Sequence, residues 1–292
     1  MAFYILTDAA CDLSKEYVDR QKDFYVFPMN YTIDNEEKTF YPYDGSPALK
    51  ELYDKMRDGL VPTTAQINLN DYLDVFTRLT AEGHEVVYLC FSSGLSGTYQ
   101  TAVLARSMVL EQNPAARLYV VDTLCAAAGQ GLLVHFALKK RDEEGLNAEQ
   151  LAAWVADNRQ HAIHWFTVDK LDYLYRGGRV SRSTAVVGDM LRIKPVMNVN
   201  YEGKLIAQEK VAGRKRSLKT MAEKYEEFAD RALWNTVFIA HGDCAEDAEY
   251  LSEKVREINP NVQITPLRIG AIIGSHTGPG IMTLFFWSQK AR

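Results

Sequence analysis

At 292 residues the chain is long enough for one large domain or two ordinary ones, and a hydrophobic content of 47% supplies material for a substantial core. A formal charge of -5 argues against a dedicated nucleic-acid binder, which concentrates Lys and Arg on one face. The start "MAFYILTDAA" is not a cationic segment followed by a long apolar run, and no stretch has the length needed to cross a bilayer, so the expected setting is the cytoplasm. The first half alternates β-branched or aromatic runs with helical patterns. Strands are expected at 3–8, 24–33, 85–91 and 117–122, with helices from about Ser14, near 47–58 and 70–82, from about Ser96 to Glu111, and from about Cys125 to Arg141. Such alternation predicts βαβ crossovers and a mostly parallel sheet flanked by helices.

The second half differs in texture. After a helix at "NAEQLAAWVADNRQH", the run "IKPVMNVNYEGKLIAQEKV" reads as a hairpin around Glu202-Gly203, which implies antiparallel pairing. Helices are expected from about Lys215 to Arg231 and from about Ala245 to Ile258, with strands at 236–242 and 263–269. The expected organisation is an N-terminal α/β domain over 1–160 and a C-terminal α+β domain with an antiparallel sheet over 161–292. No Gly/Ser-rich linker separates them, so a ligand cleft is expected between closely packed halves.

In parallel sheets ligands lie beyond the carboxyl ends of the strands. There the sequence places Thr7-Asp8, Ser92 through Thr98 and Asp122-Thr123, with "PTTAQIN" (62–68) ahead of a helix. Any one of these loops is also what an ordinary helix cap looks like. No Gly-Lys-Ser or Gly-Lys-Thr occurs, and "GQGLLV" and "GPGIMT" lack the third glycine of a dinucleotide loop. "GLSGT" (94–98) misses the hydrolase elbow by one residue, so a serine esterase or acyltransferase using Ser93 or Ser96 with His276 is kept as the alternative function. Cys11, Cys90, Cys125 and Cys244 are scattered without a C-x-x-C pair, and His161 with His164 lack a third ligand, so no metal or other cofactor is expected. Asp243 with Glu246 reads as the cap of the helix from Ala245.

What remains is a set of neutral donors, Thr64, Ser92, Ser93, Ser96, His276 and Thr277, which converge if the two halves face one another. Neutral donors with few lysines suit a carboxylate whose body is apolar. Burying about fifteen methylenes at roughly 0.8 kcal/mol each gives on the order of 12 kcal/mol, before the several kcal/mol that association costs.

Six segments in order, "TDAACDLS" (7–14), "TAQ" (64–66), "SSGLSGTYQTA" (92–102), "VDTLCAAAGQGLLV" (121–134), "LDYLYRGGRVSRSTAVVGDMLRIKPVMNVNYEGKL" (171–205) and "IGAIIGSHTGPG" (269–280), give the chain a further reading. It resembles the DegV family of bacterial fatty-acid-binding proteins. The resemblance implies one long-chain fatty acid, such as palmitate, stearate or oleate, held between two domains. Its carboxylate would meet Thr64 and Ser93, with Ser92, Gly94 and His276 as neighbours. It also implies that the bound acid is presented to a separate fatty acid kinase catalytic subunit, which makes an acyl phosphate for phospholipid synthesis. The chain itself would then be a carrier with no catalytic activity, and a transient contact with a membrane surface is among the partners considered. Arg176, Arg179 and Arg214 are candidates for phosphate or partner contact, or else structural ion pairs. Departures from the family pattern at Ala65, Ile67, Asn68, Ala127 and Ala128, and at Ala212, bear on chain-length preference and kinase docking rather than on the fold.

Overall fold

A computed structural model describes residues 3–181, 193–232 and 234–292; the part of the 171–205 motif at 182–192 lies outside them. Elements are numbered over the described residues. The first half runs β1 (Tyr4–Asp8), α1 (Lys15–Asp19), β2 (Phe24–Phe27), β3 (Met29–Ile33), β4 (Glu36–Phe40), α2 (Ala48–Arg57) and β5 (Thr63–Thr64). It continues with α3 (Leu69–Ala81), β6 (Val86–Cys90), α4 (Thr98–Gln112), β7 (Leu118–Asp122), α5 (Ala127–Asp142) and α6 (Ala148–Asn158). The second half holds β8 (Ala162–Thr167), α7 (Asp172–Arg176), β9 (Ile193–Val199), β10 (Leu205–Ala212) and α8 (Arg214–Phe228). After these come β11 (Thr236–His241), α9 (Ala245–Ile258), β12 (Gln263–Arg268), α10 (Ala271–Thr277) and β13 (Met282–Trp287).

Four parallel strands make a sheet in the order β2-β1-β6-β7. All of β6 is buried, with Val87 and Leu89 on one face and Val86 and Tyr88 on the other, as a strand covered on both sides requires. Six strands form the second sheet, β10-β9-β8-β13-β11-β12, antiparallel except for the parallel pair β11–β12. Between the sheets lies α5, whose run "AAGQGLLVHFAL" is apolar almost all round because it is buried on every side. One hydrophobic cluster therefore passes from Ile5 and Leu89 through Leu132 and Phe136 to Phe238 and Phe285. Outside it, α3 and α4 cover the four-stranded sheet, while α8 and α9 cover the six-stranded one.

Two expectations are corrected. The run 24–33 is not one strand: Pro28 divides it, and β3 leaves the parallel sheet to pair antiparallel with β4 and β5 in a third, three-stranded sheet. Proline lacks the N–H that a continuing ladder would use. Asp243 does not cap α9. Its backbone is left-handed (φ 57), its carboxylate is paired with Arg57 and Arg268, and the residue ahead of the helix is Cys244, whose N–H bonds to His241 Nδ1. The hairpin is where the pattern placed it, β9 and β10 joined through 200–204 with Gly203 at φ 73.

Candidate functional site

The strand order reverses direction between β1 and β6, and the crevice beyond their carboxyl ends is where open α/β sheets take ligands. Asp8 closes the base of that crevice. Its carboxylate accepts from Phe91 N–H (2.9 Å) and the Tyr88 hydroxyl (3.0 Å), and burial raises its pKa to about 6. From this anchor the 92–98 loop crosses to the second half. Ser92 is fully buried and its Oγ donates to the Gly203 carbonyl at the hairpin turn (2.8 Å), so it fastens the loop to β9–β10. Gly94 is needed for the same approach, since a Cβ there would sit 2.6 Å from the Glu202 carbonyl oxygen. Ser93 N–H donates to Asp122 Oδ1 (3.2 Å). Ser92, Ser93 and Gly94 thus build the loop, and it is Ser96 that stands on the wall of the cavity beyond it.

That cavity has a volume of about 260 Å³ and draws its walls from both halves. Its polar end joins Thr64 on β5 to His276 at the last turn of α10, Oγ1 to Nε2 at 2.7 Å, although the two are 212 positions apart. Ser96 Oγ is bonded to Thr98 Oγ1 (2.8 Å) and takes Thr98 N–H (3.2 Å) at the start of α4. Arg179 ties this end together: Nε donates to the Leu95 carbonyl (3.1 Å) and Nη1 to the Gly177 carbonyl. Gly177 in turn lies so close to His276 Nδ1 that no side chain fits between them. Burial, reinforced by the nearby Arg179 charge, lowers the His276 pKa to about 4, so the imidazole is neutral near pH 7. Burial also pulls the Arg179 guanidinium below its ordinary value. Ala65, Gln66 and Gly97 are exposed and mark the mouth.

The rest of the wall is mostly apolar, with Met29, Phe166, Ile272, Ile281 and Phe285 among its residues, and Thr283 there spends its hydroxyl on the Ala240 backbone. His164, which the sequence offers only as half of an incomplete metal pair, is also part of it. Its Nδ1 meets the Ala162 carbonyl (2.8 Å) and its Nε2 accepts from Ala126 N–H (3.2 Å), so both nitrogens are spent on backbone and the cavity sees ring carbon. No sequence signal separates such a histidine from a ligand. Of the three arginines, Arg179 alone lines this cavity. Arg176 is exposed in a separate polar crevice with Arg57, Lys170 and Asp172. Arg214 is held by Asp247 (2.9 Å), the Gly280 carbonyl (2.6 Å) and Asp169 (3.7 Å).

The hydrogen bond of His276 goes to Thr64 and that of Ser96 to Thr98, and among the described residues no carboxylate bonds to His276. Nor, among the described residues, does any group of three or more His, Cys, Asp and Glu side chains come together as metal ligands. No helix among them is long and apolar enough to cross a membrane.

The family model described as "uncharacterised protein, DegV family" matches residues 2–289. The chain belongs to the DegV family. A DegV domain-containing protein of Clostridium perfringens is 41% identical over 284 residues, covering 97% of each chain. Among solved DegV-like structures, a stearic-acid-binding protein from Eubacterium ventriosum is 29% identical, with 99% of each chain covered and a TM-score of 0.86. The fatty acid kinase (Fak) B3 protein of Streptococcus pneumoniae, loaded with linoleic acid, is 22% identical over 99% of this chain and all of its own, with a TM-score of 0.85; that likeness is one of fold. The three-sheet architecture described above is therefore the DegV fold.

Proposed function

We propose that this protein binds one long-chain fatty acid between its halves and presents it to a separate kinase, acting as a carrier without catalysis of its own. The observation that carries the reading is the polarity of the cavity: an apolar wall with neutral donors and one cation gathered at a single end. In this reading the carboxylate meets Thr64, His276 and Ser96, while Ser92, Ser93 and Gly94 hold the loop that delivers Ser96. Hydrogen bonds to a charged oxygen contribute roughly 1.5–3 kcal/mol each, enough to offset much of the cost of desolvating the head group. Arg179 supplies the neighbouring positive charge. The stearic-acid-binding relative supports the choice of ligand class. Kinase presentation rests on the motif resemblance, and Arg176, exposed in the polar crevice with Arg57 and Lys170, is the candidate for that contact.

Solvent extraction of the purified protein followed by mass spectrometry tests the ligand. Stoichiometric fatty acid in the wild type and its loss from a Thr64→Ala/Ser96→Ala double variant are expected. A wild-type protein that is empty and also refuses added oleate or palmitate overturns the reading. Retention in that variant with loss in Ser93→Ala would move the carboxylate deeper into the loop. Acyl phosphate formed with a fatty acid kinase catalytic subunit and ATP, only when this protein is present, is the expected outcome for the second step.

A further inference from the structure

The wall of the cavity also carries a row of side chains that nothing in the head-group chemistry uses. Alternate residues Ile281, just ahead of β13, and Thr283 and Phe285 on it face the cavity, a run of about 13 Å at the usual strand rise. The register sets Phe166 opposite Thr283 and His164 opposite Phe285. The next pair on this face, Trp287 with Ala162, no longer lines the cavity. Trp287 is packed instead against Phe136 (ring centroids 5.1 Å apart), Trp154 (5.8 Å) and Trp234 (5.0 Å), so aromatic rings fill the space beyond.

We infer that the His164–Phe285 row is the floor of the ligand tunnel and sets the longest acyl chain this protein accepts. The inference rests on the fatty-acid reading above. Three features make the floor rigid. The two rings meet edge to face at 5.1 Å and 82°. Both His164 nitrogens are fixed to backbone groups. Gly129 lies against His164 Nε2 so closely that a Cβ has no room, which bars the imidazole from swinging into α5. A chain that reaches this row must stop or fold back, because the rings behind it are themselves close-packed and interiors of that density yield little. The floor excludes by shape: a histidine with no free donor or acceptor attracts nothing, so chains are rejected for length and not for a polar terminus.

The test is competition under native mass spectrometry between saturated straight-chain acids from laurate to arachidate, on the full chain and on Phe285→Leu and His164→Ala. The wild type is expected to discriminate sharply against the longer acids. Each variant should raise the ratio of arachidate to palmitate bound by about tenfold, the discrimination that a methylene-scale change in an apolar pocket provides. His164→Ala also strands the Ala126 N–H, so if it does not fold, Phe285→Leu decides. Unchanged ratios in folded variants that still bind acids overturn the floor alone. A wild-type protein that binds none of the acids overturns the fatty-acid reading and the floor with it.

Discussion

Thr64 has few polar partners and a long reach: its hydroxyl finds His276 across more than two hundred residues, and in the proposed function the two meet the carboxylate together. Thr64→Val keeps the shape and removes only the oxygen. Losing one charge-assisted bond of roughly 1.5–3 kcal/mol should weaken fatty-acid binding about ten- to a hundredfold in a fluorescent-acid titration. An unchanged affinity would mean the head group lies elsewhere. The other hydroxyls show how far residue types carry on their own. "SSGLSGT" announced a polar loop, but which of its serines faces the cavity depends on the Ser92 bond to Gly203, a contact over 111 positions that no spacing encodes. The GSHTGPG motif singles out His276, and the structure sets it on the cavity wall against Thr64. Nothing in the sequence singles out His164, because a histidine saturated by backbone has the same one-letter code as one poised to ligate.

Elements divide by whether their signal is local. The helices α3 and α9 and the hairpin of β9 and β10 follow from apolar periodicity and a turn glycine, and the structure has them within a few residues of where the pattern put them. The strand β4, "EEKTF", gives no such signal, since it is largely exposed and pairs with β3 along one edge only. Least legible is the seat of α10, the helix that delivers His276. It follows β12 in the second half, yet residues of the first half grip it: Asp12 Oδ1 accepts from Gly270 N–H (2.9 Å), and the Tyr53 hydroxyl donates to the Ile269 carbonyl (2.8 Å). Gly274 packs on that same hydroxyl, with no space for a Cβ beyond 2.5 Å. Tyr53→Phe leaves a buried carbonyl without its donor, which should cost about 1–3 kcal/mol in urea unfolding. Because the loss falls on the seat of α10, fatty-acid affinity should drop with it; a stability loss with affinity intact would show that α10 is held by its other contacts.

At the scale of the whole molecule the protonation of buried groups sets how stability depends on pH. Burial lowers His135, His241 and His276 to about 4 and His164 well below its ordinary value. Geometry agrees for two of them: His164 Nε2 accepts Ala126 N–H and His241 Nδ1 accepts Cys244 N–H, so each must stay unprotonated to keep its bond. An unfolded imidazole takes up its proton near pH 6.5. Between that pH and about 4 the unfolded chain therefore binds more protons than the native one at these four sites, and stability falls as pH falls. Two carboxyls act the other way. Asp8 is raised to about 6 and Asp12 is raised well above 3.8, so the native state holds their protons where the unfolded state has released them, and acidification favours folding on their account. Four imidazoles outweigh two carboxyls, which leaves a net proton deficit in the native state across this window. The melting temperature of the ligand-free protein should accordingly decline from about pH 6.5 downward, and His276→Gln should make the decline shallower by removing one of the four. A melting temperature that holds level or rises over that range would mean that the imidazoles are already charged in the fold, and the proposed head group would then meet a cationic His276 and not a neutral one.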